Sequence, residues 1–239
     1  MRHFAVLMLF LLNTFSFSVS AQADNEYLKL YLLRYYNELN AGDEWLLMTE
    51  YENTRSFSPD RQREILARTT LARPVSKMLN IGLGIGFNGV VDTEADMWQP
   101  EWRSHQQVVL GLERNRFNFA QRLRVEQLFG RPVENEKLQQ GYSFTPRTRY
   151  FLQVSYDLRK ESGRRGNVAA HLWNEVYVYP FGENVFFTEN QLNTGVLYQL
   201  SDAISIVLSH SWLILQNEPA VFQYGSIFRL VINQHLVLE

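Results

Sequence analysis

Three short stretches carry ionisable side chains at a spacing that could bring them together: Arg122, Arg124 and Glu126; Arg147 and Arg149; and Glu175. On an extended chain, residues two apart point to the same side. Along 115–129 one face then reads Arg116, Asn118, Ala120, Arg122, Arg124 and Glu126, and the other Phe117, Phe119, Gln121, Leu123 and Val125. Two unlike faces at period two define a strand. Arginines and a glutamate in mid-strand on one face, with aromatic and aliphatic groups on the other, follow the design of a transmembrane β-barrel. If the strands pair in chain order, all six charged residues lie on one side of the wall, because lipid cannot solvate a charge and a barrel interior can. Two chemistries follow from such a cluster. The preferred one is a structural lattice of ion pairs that fills the lumen; the other is a constriction in which the four arginines select small anionic solutes.

Other site chemistry finds little support. A His base and a Ser nucleophile on one strand meet most simply at i and i+2, yet none of His105, His171, His210 or His235 has a serine at that spacing, and Ser209 and Ser211 flank His210 on the opposite face. An outer-membrane lipid hydrolase would therefore need a cross-strand pair. No His, Asp or Glu group has metal-ligand spacing, there is no glycine-rich phosphate loop, and no cofactor is expected. The protein is read as a non-enzyme. Along 79–88, Gly82, Gly84 and Gly86 share one face, and the preferred explanation is that bulky neighbours fill the room they leave.

The elements that must position the cluster follow from the rest of the chain. Residues 1–23 have the form of a secretory signal, with Arg2, an apolar core and Ala21-Gln22-Ala23 before Asp24, leaving 24–239 as one barrel domain. Without Arg2 there are 22 basic and 25 acidic residues, so no basic excess points to nucleic acid. There is no cysteine to form a disulfide framework. Eleven candidate strands can be drawn, at 26–37, 45–53, 63–71, 79–88, 102–112, 115–129, 146–158, 169–179, 191–200, 203–216 and 226–238, joined alternately by short turns and longer loops. This predicts an all-β fold, an antiparallel up-and-down transmembrane β-barrel of about 10 to 12 strands. A single-chain bacterial barrel with both ends in the periplasm needs an even number, so either a further strand lies near Asp24 or within 184–188, or one of the eleven is split or joined wrongly. Tyr27, Trp45, Trp102, Tyr156, Tyr198 and Trp212 suit aromatic girdles at two interfaces, whereas His210 falls on the face assigned to lipid.

With these motifs placed, the run Arg122, Arg124, Glu126 and Gln127, the later Arg147 and Arg149, the Trp173-Asn174-Glu175 element and the Glu189-Asn190-Gln191 segment together resemble an uncharacterised bacterial family of outer-membrane barrels, domain of unknown function 2490. The resemblance covers essentially the whole mature chain, with Gln191 standing where that family's arginine is expected. It implies an outer-membrane address and a barrel architecture, and no activity. The expectation is a structural or envelope-associated barrel with a charge-lined, largely filled lumen. Its partners would be outer-membrane lipid and the barrel assembly machinery, with a small solute if the lumen conducts. Alternation alone leaves open the inverted case, a soluble lipocalin-like binding barrel with its apolar face inside.

Overall fold

A computed structural model describes residues 27–42, 44–92, 97–135, 137–158, 165–179, 186–218 and 221–238. The chain runs as β1 (Leu28–Ala41), β2 (Trp45–Phe57), β3 (Asp60–Ser76), β4 (Leu79–Asp92), β5 (Met97–Arg114), β6 (Phe117–Gly130), β7 (Val133–Glu134), β8 (Lys137–Leu138), β9 (Ser143–Asp157), β10 (Val168–Tyr179), β11 (Phe186–Gln199), β12 (Ile204–Glu218) and β13 (Val221–Leu238). Eleven of these close into a barrel in the order β1-β13-β12-β11-β10-β9-β6-β5-β4-β3-β2, and β7 with β8 forms a two-residue hairpin between β6 and β9. The expected signal segment lies outside the described residues.

Neighbours are antiparallel all the way round except at the closure, where β1 and β13 run parallel from Leu28↔Gly225 to Ala41↔Leu238. This corrects the expectation of an even count. In an up-and-down chain with an odd number of strands the first and last point the same way, and they can still pair through evenly spaced, slanted hydrogen bonds. Of 184–188, the described residues 186–188 form the start of β11, which Phe186 opens, and no separate strand. Asp24 lies outside the described residues. The expected alternation of short turns and long loops is also weaker than the sequence suggests. β2 and β3 are joined by Ser58 and Pro59 alone, and β5 already begins at Met97. Polar residues there extend the ladder instead of ending it: Arg55 donates to Gln62 at 3.0 Å and Tyr31 to Asp60 at 2.9 Å across the β1–β3 margin. At the other rim, Asn115 takes φ 58° in the two-residue β5–β6 turn, a conformation Asn tolerates better than most side chains.

The wall is polar inside and apolar outside. Leu83, Ile85 and Leu208 are 65, 67 and 63 % exposed, and Leu33, Leu71, Val108, Leu123, Leu192 and Ile232 share that outer face; Glu50, Arg68, His105, Gln107, Arg124, Glu126, Arg149 and Glu175 are buried. Rings line both margins of the outer face, with Phe87 on Trp102 and Phe129 on Phe144 toward one rim and Phe117 on Tyr156 toward the other. Several of the polar groups that face outward bond to one another: Ser104 and Gln106 to Gln127 at 2.8 and 3.2 Å, Tyr150 to Gln121 at 3.2 Å, and Asn174 to Asn190 at 3.1 Å. One apolar cluster lies inside, where Leu30 and Leu32 of β1 meet Leu213 and Ile227, and it makes β1 apolar on both faces.

β4 is the thin part of the wall. The interior space over Gly84 is occupied by the His105 ring, whose Cε1 lies 2.2 Å from where a Cβ would stand, while Arg68 and Thr70 crowd Gly86 and Gly82. The His105 Nε2 reaches Thr70 Oγ1 at 2.9 Å across this strand. Gly84→Val would drive a side chain into the imidazole and into Thr69 O, 2.6 Å from the Cβ position. Thermal or denaturant unfolding of the folded barrel should show a loss of about 1–3 kcal/mol. Gly111→Ala, with nothing within 4 Å, should stay within about 0.5 kcal/mol of the parent.

Candidate functional site

The six charged residues singled out from the sequence converge on the interior. β6 and β9 pair so that Arg124 faces Arg149 and Glu126 faces Arg147, and β10 is the next strand of the wall, with Phe151↔Glu175 and Arg149↔Tyr177. Two arginines side by side would repel, so the register requires carboxylates between them. Glu126, 1 % exposed, supplies one. Arg147 donates to its Oε2 from Nη2 at 2.6 Å and from Nε at 2.8 Å, and Arg149 Nη1 donates to its Oε1 at 3.2 Å. Glu175 supplies the other. Arg149 grips it with a two-pronged fork, Nε to Oε1 at 3.0 Å and Nη2 to Oε2 at 2.9 Å, and Arg122 Nη2 donates to Oε1 at 2.9 Å. Such charge-assisted, bidentate bonds fix direction as well as charge. Tyr177 completes the site, accepting from Arg149 Nη2 at 3.0 Å and donating to Glu175 Oε2 at 3.2 Å, with the Arg149 guanidinium 4.5 Å from its ring centre.

The lattice continues beyond those six. Arg68 of β3 donates from Nε to Glu50 Oε2 at 3.0 Å, and its Nη1 lies 3.6 Å from Glu126 Oε1. Three strand spacings separate β3 from β6, roughly 14 Å along the wall at about 4.8 Å each, and the side chains span it on the interior side. The glycines of β4 leave that side low enough for them to do so. Arg34 of β1 then joins Glu50 at 3.2 Å and Glu52 at 2.6 Å. Groups on opposite walls also feel each other: Tyr36 of β1 is within electrostatic range of Arg122 of β6, five strands away.

A second, less charged cluster lies on β10 to β13. Arg229 donates to Ser211 Oγ at 2.9 Å and to Gln191, and stands 5.2 Å over the Trp173 ring. Gln191, where the resemblance leads to an expectation of arginine, thus holds an arginine from β13 and in turn donates to Glu189. Glu50, Glu52, Arg68 and Tyr177 share the inward face of their strands by period-two counting and are not among the six residues singled out from the sequence. Sequence reasoning missed Arg34 altogether, because the inward leucines of β1 blur the alternation around it. The available signal was pairwise, Arg34 lying opposite Glu52 and Glu50 opposite Arg68 in neighbouring strands.

His210 lies on the outer face as expected, its ring 4.7 Å from both Trp212 and Phe228. Ser209 and Ser211 are on the inner side, where Asn193 donates to both at 3.1 and 2.8 Å. Among the described residues no group of three or more His, Cys, Asp or Glu is placed to hold a metal ion.

Comparison with known proteins fits this architecture into a family. The sequence matches the family described as "Protein of unknown function (DUF2490)" over residues 31–219, and the chain belongs to that family. No curated protein and no solved structure matches it.

Glu126 is the carboxylate on which most of the lattice turns. Glu126→Gln would leave Arg147 and Arg149 facing an uncharged amide in a buried setting, and the expected loss of unfolding free energy is about 3–5 kcal/mol. Glu38→Gln, which removes the partly exposed contact to His235 at 3.6 Å, should cost less than about 1 kcal/mol in the same experiment.

Proposed function

We propose that the protein is an outer-membrane barrel, delivered by a cleaved signal segment and folded with the barrel assembly machinery, whose lumen is closed at mid-height by its own ion pairs. It serves as a structural or envelope-associated element and not as an open pore. The observation that carries this reading is the burial of the inward charges. Side chains that line a water-filled channel keep solvent contact, whereas Arg68, Arg124, Glu126, Arg149 and Glu175 are all 6 % exposed or less.

The outer face supports the membrane address. A continuous apolar exterior is costly in water and is the natural surface in lipid. Its ring-lined margins match interfacial positions, and several of its outward amides are bonded to each other, as hydrocarbon requires of any polar group. A soluble binding barrel of lipocalin type needs the opposite arrangement, with apolar groups inside and charges outside. The strands are 12 to 18 residues long, beyond the roughly 9–11 that a tilted strand needs to cross the hydrocarbon, so several continue past it into the rims.

The second reading, an anion-selective constriction, rests on the same arginines and differs only in whether solute passes them. Single-channel recording in planar bilayers separates the two. The parent protein, inserted and folded, should give no discrete conductance steps, and the double variant Arg124→Ala, Arg149→Ala should open measurable ones if it folds. Anion-preferring steps from the parent would replace the closed barrel with the pore. Recovery of the protein with soluble periplasmic material, and not in the outer-membrane fraction, would reject the address.

A further inference from the structure

The salt bridges of the interior do not balance. Arg34, Arg68, Arg122, Arg124, Arg147 and Arg149 form one connected network whose carboxylates are Glu50, Glu52, Glu126 and Glu175. Six guanidinium groups share four carboxylates, and among the described residues no other carboxylate lies within salt-bridge distance of any of them. A buried charge without a partner is strongly disfavoured; Arg34 and Arg122, with 27 and 23 % of their side chains exposed, can meet water, so the surplus bears on the more deeply buried arginines.

Within the network, Arg34 Nε and Arg122 Nε are also without a hydrogen-bond partner, but the more deeply buried of its unpartnered nitrogens belong to Arg68 and Arg124, with His105 beside them. Arg124 uses Nε and Nη2 on the same neutral atom, Gln107 Oε1, at 3.0 and 2.7 Å. Its Nη1 has no hydrogen-bond partner and stops 3.7 Å from Glu126 Oε1. Arg68 commits Nε and Nη2 to Glu50, while its Nη1 is likewise unpartnered and stops 3.6 Å from that same Oε1. His105, whose neighbour in the ladder is Glu126, bonds Thr70 through Nε2 and leaves Nδ1 without a partner. Arg68, Arg124 and His105 are each at least 96 % buried, and both arginines lie within electrostatic range of the imidazole. Three buried nitrogens able to donate therefore lack acceptors: Arg68 Nη1 and Arg124 Nη1 beside Glu126 Oε1, which Arg149 already bonds, and Nδ1 of His105, the residue paired with Glu126 in the ladder.

We infer that this pocket of the lattice binds a small monovalent anion of the halide class, held by Arg68 Nη1, Arg124 Nη1 and the Nδ1–H of His105. Binding sets the His105 tautomer, with Thr70 donating its hydroxyl proton to Nε2. The site needs no open channel, so it stands whether the barrel conducts or not. The anion acts as a built-in counterion that the folded barrel takes up and the unfolded chain does not.

The test is direct. Crystals of the full detergent-folded protein grown with sodium bromide should show an anomalous peak between Arg68 and Arg124, and its absence at saturating bromide would overturn the assignment in favour of bridging water. In solution, a ligand that binds only the folded state raises the unfolding midpoint with concentration. Replacing gluconate by chloride at constant ionic strength should therefore raise it to a plateau. That dependence should vanish in Arg124→Gln and persist in Arg229→Gln, whose arginine belongs to the second cluster, with Ser211, Gln191 and Trp173. A chloride dependence equal in all three proteins would mean general salt screening and would reject the site. Should Arg124→Gln fail to fold, the bromide peak in the parent decides the matter alone.

Discussion

The Glu126 carboxylate is the constraint on which the rest of the barrel depends. Two arginines bond it directly and two more stop just short of it, so it ties β3, β6 and β9 together through the interior. Removing charge from water is expensive, and mutual attraction offsets the cost only with close, directed hydrogen bonds. The fork of Arg149 onto Glu175 and the double bond of Arg147 onto Glu126 have that geometry. Ion pairs of this sort set register more surely than they add stability: a slip of one residue along β6 would turn Arg124 and Glu126 outward and leave Arg147 without its counterion.

Once the charges are inside, other features of the sequence acquire reasons. The glycine face of β4 exists because Arg68, Thr70 and His105 must cross it. The two-faced apolarity of β1 reflects its position at the parallel closure, where Leu30 and Leu32 pack inward on Leu213 and Ile227 while Leu33 and Tyr35 face out. The apolar exterior follows by exclusion, since with period-two alternation every charge placed inside puts its neighbour outside.

Much of this was legible in the residues. Alternation placed Arg122, Arg124, Glu126, Arg147, Arg149 and Glu175 on a common side, and pairing in chain order brought them into contact. The direction of that side was not legible, because alternation is the same whether the polar face points in or out; closure of the wall decides it. The count of about 10 to 12 strands agrees with the eleven of the wall; only the requirement of an even number fails, because β1 and β13 close the barrel in parallel. Arg34 escapes detection because the inward Leu30 and Leu32 just before it erase the polar-apolar contrast. Strand ends were drawn short wherever polar side chains such as Arg55 and Gln62 sustain the ladder, since polarity reads as loop until the partner strand is known.

The measurement that bears most directly on the account is site-directed spin labelling of the barrel in lipid bilayers, made clean by the absence of native cysteine. Single cysteines at Leu123 and Val125, on the outer face, and at Gln107, in the lattice, would carry the nitroxide. A polar-filled barrel in a membrane predicts labels at 123 and 125 that are relaxed by oxygen and shielded from a water-soluble nickel chelate, and a label at 107 shielded from both. Ready access of the chelate to 123 and 125 would contradict the membrane-facing exterior, and ready access to 107 would contradict a filled interior.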